Sequence, residues 1–346
     1  MPESDSTLPP PKSLVDHPST CEGETACCQE NPLSGHLHEH DHDHDRPGTD
    51  GAGEPCPTPL MWQEIRENYL RDSQPFEISH GPHQLMGRTW GDGPPLYFLN
   101  NFAATAELYS LALWLLRDQF RCVVFDAVTS DRRAARRTQP TMSDFSADLF
   151  AVADRFGDQH LALYGAGFGA AVALQAALER PERVDNLVLQ HGFASRRLTV
   201  FERVLASICL RSGMSLDRLP QRRRFQAVNH KPWFPPFDQS RFEFLIESTG
   251  TLPLRDLARR ALAVNSFDVR SRISEIACPV MLLRTEGEGR LAADSQEILE
   301  SSLTQFRTEW MHSAGQHPCL THPHRVAKIV QAFCRSAQVV TEVAVT

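Results

Sequence analysis

Three stretches of the chain carry the residue types that chemistry needs. Residues 161–171 read Leu-Ala-Leu-Tyr-Gly-Ala-Gly-Phe-Gly-Ala-Ala, an apolar strand running through a glycine-punctuated turn into a helix. Such a turn gathers backbone N–H groups at a helix N-terminus, where an anion or a developing negative charge is stabilised. Its middle residue, Gly167, has no side chain and can attack nothing. Towards the other end, Gly315-Gln316-His317-Pro318-Cys319 sets an amide, an imidazole and a thiol close together. Imidazole accepts a proton near neutral pH and glutamine does not. The third stretch is His36-Leu37-His38-Glu39-His40-Asp41-His42-Asp43-His44-Asp45, with Cys27 and Cys28 upstream. Imidazoles at His36, His38, His40, His42 and His44, helped by two thiolates, suit a divalent cation such as Zn, Ni or Cu without selecting among them.

The elements around these groups follow from composition and periodicity. Residues 1–60 hold 12 acidic and 2 basic side chains and almost no aromatic or β-branched ones. A stretch of this kind cannot bury enough apolar surface to offset its ordering entropy, so residues 1–58 are expected to be a disordered acidic tail. Residues 59–346 are expected to form one domain, with 41% apolar content across the 346-residue chain sufficient for a large core. Apolar runs at 96–100, 122–125, 160–164, 186–190 and 280–283 read as buried strands separated by amphipathic helices, an alternation that predicts a mostly parallel sheet with helices on both faces. The clearest helix begins at Thr141, with Asp144 three residues on and Met142, Phe145, Leu149, Val152 and Phe156 spaced as one face. Between the strands at 186–190 and 280–283, the pattern over about 193–270 is helical.

This order of parts, with Leu99-Asn100-Asn101-Phe102, Phe125-Asp126, Gly165-Ala166-Gly167-Phe168-Gly169, Pro181-Glu182-Arg183-Val184 and Ala277-Cys278-Pro279-Val280, resembles the α/β-hydrolase superfamily over roughly residues 75–337. The resemblance implies an α/β-hydrolase fold, a helical cap inserted at about 193–270, and a ligand pocket between cap and sheet. That pocket would involve Asn100, Asn101, Phe102, Ala166, Gly167, Phe168 and His191, with Trp233 and Phe234 in the cap. The family's chemistry places a nucleophile where this chain has Gly167 and a histidine where it has Gln316. His317 is one residue late, and Glu286, Glu288 and Asp294 are the acids after the strand at 280–283. The resemblance therefore implies a catalytically degraded member that binds a ligand or a protein partner without turnover.

Two rivals stand beside that expectation. One is a hydrolase of esters, lactones or thioesters with relocated chemistry, using His317, Cys319 or His191, with Glu288 as the acid that rescues His317. The other is a dinucleotide site at Gly165-x-Gly167-x-x-Ala170, which the lack of an acid after the strand at 186–190 disfavours. No cofactor is expected to be required beyond a possible metal on the tail. The sequence shows neither a basic, apolar leader nor a membrane-length apolar run, and its cysteines lack the spacing of a disulfide framework. A cytoplasmic protein with reduced thiols is therefore expected. Neither nucleic acid nor membrane is expected as a partner.

Overall fold

The computed structural model describes residues 61–130, 140–236 and 238–345. The tail ligands His36, His38, His40, His42, His44, Cys27 and Cys28 lie outside them. Among the described residues no group of three or more His, Cys, Asp and Glu is placed to hold a metal ion. Nor is any described helix long and apolar enough to cross a membrane.

Strands β1 (Gln74–His80), β2 (His83–Trp90), β3 (Pro95–Leu99), β4 (Arg121–Thr129), β5 (Leu161–Ala166), β6 (Val184–Gln190), β7 (Val280–Thr285) and β8 (Phe306–Met311) form one sheet in the order β1-β2-β4-β3-β5-β6-β7-β8. The β1–β2 and β2–β4 pairs are antiparallel and the rest parallel. The described helices are α1 (Trp62–Asp72), α2 (Ser110–Leu116), α3 (Met142–Phe156), α4 (Phe168–Glu179), α5 (Val200–Cys209), α6 (Arg222–His230), α7 (Ser240–Gly250), α8 (Leu254–Ser266), α9 (Arg290–Ser302), α10 (Pro318–Thr321) and α11 (Pro323–Val345). Helices α5 to α8 fall between β6 and β7.

Period-two alternation lets the central strands bury both faces. Tyr97, Leu99, Val123, Leu163, Leu187 and Leu282 join the core made with α3 and α4. Leu96, Phe98, Val124, Tyr164, Val188 and Met281 join the one made with α1, α2 and α11. The Thr141 cap takes its expected form: Asp144 N–H donates to Thr141 Oγ1 at 3.3 Å, and Thr141 N–H donates to Asp144 Oδ2 at 2.7 Å.

Some elements differ from the sequence expectation. Strand β4 continues past Asp126 to Thr129, because β2 pairs with it as far as His83↔Thr129. The edge strand β8 is exposed at five of its six positions and so has no apolar run to announce it.

The strand order also locates the site. Since β3 lies between β4 and β5, the loops leaving β3 and β5 diverge and open a crevice at their carboxyl ends. The pairing Leu99↔Gly165 sets residues 100–102 beside the turn at 165–168.

Candidate functional site

The turn between β5 and α4 is a sharp elbow. Gly167 has φ 50° and ψ −104°, a conformation that an L side chain occupies only with strain. Its N–H donates to Gln190 O at 2.8 Å, so that donor is committed and cannot meet a pyrophosphate. Strand β6 also ends in Gln190 and His191 rather than an acid, and the dinucleotide reading has no support from this geometry.

The loop after β3 closes over the elbow. Asn100 Nδ2 donates to Asp126 Oδ1 at 2.6 Å and to Phe125 O at 3.0 Å. Asn101 Oδ1 accepts the Phe102 N–H at 2.7 Å, and a Cβ at position 167 would overlap that same oxygen. The amide oxygen of Asn101 therefore fills the space a nucleophile would project into and occupies a neighbouring backbone donor. From α8, buried Arg260 fixes the loop by donating to Phe102 O at 2.8 Å and Asn101 O at 3.2 Å. Burial lifts the Asp126 carboxyl to about 6, against the lowering effects of Arg260 and the Ala106 N–H.

On the opposite side, Gln190 ties the histidine loop to the sheet. Tyr164 Oη donates to Gln190 Oε1 at 2.6 Å, and Gln190 Nε2 donates to Gln316 O at 2.9 Å. Cys319 Sγ donates to Tyr164 Oη at 3.3 Å, and burial pushes its thiol up to about 12. Cys319 is a buried hydrogen-bonded thiol, not an activated nucleophile. His191 is similarly held, with Nδ1 3.1 Å from Gln190 Nε2 and Nε2 2.6 Å from Thr285 Oγ1. Burial pulls its pKa down to about 4. With an amide donor on one nitrogen and a hydroxyl on the other, the ring has no lone pair free for a substrate.

His317 differs from both. Its ring packs edge-on against His230 at 5.0 Å between centroids. Burial, then the neighbouring His230 and His191, lower its pKa to about 3. No described carboxylate reaches it. Glu288, the acid expected to rescue it, instead pairs with Arg284 at 2.8 Å and caps Thr285 N–H at 3.4 Å. Glu286 accepts the Ser313 N–H at 2.8 Å, and Asp294 is exposed on α9. The acid and histidine are thus not brought together.

Trp233, in the helical segment between β6 and β7, packs against the loops that follow β7 and β8. Its ring lies so close to Gly287 and Gly315 that a Cβ at either would come within 2.5 Å of it. Small chambers among the described residues border these groups. One, about 20 Å³, is lined by Asn101, Ala166, Gln190, Gln316, His317 and Cys319 among others. The other, about 40 Å³, is lined by Asn100, Phe168, Asp148 and Arg260 among others. Consecutive residues Asn100 and Asn101 line different chambers, while Phe102, Gly167 and His191 border neither. Spaces of this size hold a water or two.

Gln190, Tyr164, Arg260 and His230 shape the site without having been singled out in the sequence. Gln190 at the end of a strand facing the elbow, and Arg259-Arg260 amid the apolar positions Leu257, Ala258, Ala261 and Leu262, were the available signals.

The model of the alpha/beta hydrolase fold matches residues 94–203, from β3 through the elbow into α5. A protein of Cronobacter turicensis named "Putative carbamate hydrolase RutD" is 25% identical over 63% of this chain and 84% of its own length. A hydrolase from Pseudomonas aeruginosa superposes with TM-score 0.62 at 19% identity, over 76% of this chain and 98% of its own. The enol-lactonase of Burkholderia xenovorans does so with TM-score 0.61 at 14% identity, over 75% and 100%. Sheet order, elbow and the match over residues 94–203 together show that this chain has the α/β-hydrolase fold.

Proposed function

We propose that this protein keeps the α/β-hydrolase elbow as a binding site for a ligand carbonyl or carboxylate and forms no acyl-enzyme there. One observation carries the reading: the Asn101 amide oxygen accepts the Phe102 N–H and takes the room that a side chain at position 167 would need. A ligand oxygen would displace this internal acceptor and inherit the Phe102 N–H. Short-chain carboxylates are expected to bind Asn101→Gly about tenfold more tightly than the unaltered chain in calorimetry, because one competing hydrogen bond is gone.

A second reading is hydrolysis of esters, lactones, thioesters or carbamates by water, with His317 as the base. The relatives named as hydrolases, an esterase and lactonases favour this reading over the first. So does the unbonded imidazole of His317 beside the elbow chamber. Its route would have His317 take a proton from water as the oxygen attacks the carbonyl, then return it to the leaving group. A kinetic panel over those four substrate classes separates the readings. Binding alone predicts no enzyme-dependent turnover. Water attack predicts turnover without a burst that is lost in His317→Gln, and a stoichiometric burst would contradict both.

A further inference from the structure

We propose that the cap docks on an anionic lipid surface through helix α5. Val200, Phe201, Val204, Leu205 and Ile208 recur along α5 as one stripe, each 49–76% exposed. A helix normally turns such a stripe inward, and a contiguous exposed apolar patch of this size marks a contact site. Phe225 and Val228 on α6, both above 70% exposed, add to the apolar surface of the cap. Between α5 and α8 runs a groove of about 420 Å³ lined by Val200, Val204, Ile208 and Leu262 together with Arg203 and Arg211.

Charge selects the occupant. Residues 196–231 hold nine Lys and Arg against two Asp and Glu. Arg196 precedes the stripe, Arg203 lies within it and Arg211 follows it, and none forms an ion pair with a described carboxylate. A second copy would set like charge against like. A folded partner would need carboxylates at fixed positions, whereas the groove offers no buried unpaired polar group to read such positions. A fluid layer of phosphate headgroups over acyl chains matches apolar and cationic side chains distributed along one surface helix. The sequence expectation of no membrane partner rested on spanning segments and leaders, and a surface helix has neither.

The test is sedimentation of the full-length chain with vesicles of phosphatidylcholine alone or containing phosphatidylglycerol. Binding is expected only with the anionic vesicles, weakening as salt rises. Arg203→Ser with Arg211→Ser should lower it roughly thirtyfold, and Phe201→Asp with Ile208→Asp should abolish it, while both variants keep the wild-type melting temperature. Equal binding to neutral vesicles, no binding to either, or full binding by the folded variants overturns the proposal. So does a dimer of the unaltered chain that Phe201→Asp dissolves, which would make this face an interface between copies.

Discussion

Gly167 and Asn101 are a single departure from the family pattern. Glycine is what lets the elbow reach φ 50° without strain, and the absent Cβ is what leaves room for the Asn101 amide. Gly167→Ser alone is expected to lower unfolding free energy by about 1–3 kcal/mol from backbone strain. Adding Asn101→Gly should remove the overlap, and a urea-unfolding double-mutant cycle should show a coupling of about 1 kcal/mol. Strict additivity would mean that the amide yields freely. His317 makes a second prediction. Its folded pKa of about 3 lies below the ordinary 6.5, so the unfolded chain binds the extra proton. Its contribution to stability is therefore full above pH 6.5 and declines as pH falls toward 3. Asp126, raised to about 6, acts in the opposite sense between its ordinary 3.8 and 6. In urea unfolding at pH 5–6, His317→Gln should flatten the fall in stability by up to about 1.4 kcal/mol per pH unit. An unchanged slope would mean that the imidazole is solvated.

At the scale of elements, helix α3 and the central strands follow directly from residue spacing. Thr141→Ala should cost about 1 kcal/mol in thermal or urea unfolding by removing the hydroxyl that accepts the Asp144 N–H. Trp233 holds the cap over the glycines at 287 and 315, so Trp233→Ala should open the cleft. Quenching of the remaining tryptophans would not report this, but entry of a short-chain carboxylate would, with faster association than in the unaltered chain. The sequence made the strands β3 to β7 and α3 legible because burial on one or two faces leaves a period. Strand β8 was not legible, since an exposed edge leaves none. In the sequence, Gly167 and Gln316 stand out against the pattern it resembles. What fills the space was not legible. The Asn101 amide, the Gln190 hub and the Arg260 clamp depend on neighbours 60 to 160 residues apart in several cases, and no spacing rule connects them. Glu288 misled for a local reason: Arg284, four residues before it at the end of β7, takes its carboxylate.

At the scale of the molecule, the α/β-hydrolase fold is complete from β3 to β8, and the proposed binding reading holds that no covalent catalysis runs on it. The elbow, the crevice at the β3–β5 switch and the cap are all present. Histidine and acid are separated, both nitrogens of His191 are bonded, and the Cys319 thiol is held protonated. Reaction of the unaltered protein with a fluorophosphonate, read by intact mass alongside a serine esterase that labels fully, tests this most directly. The predicted result is no mass gain on this chain. One adduct per chain, mapped to the elbow chamber at residue 317 or 319, would contradict it.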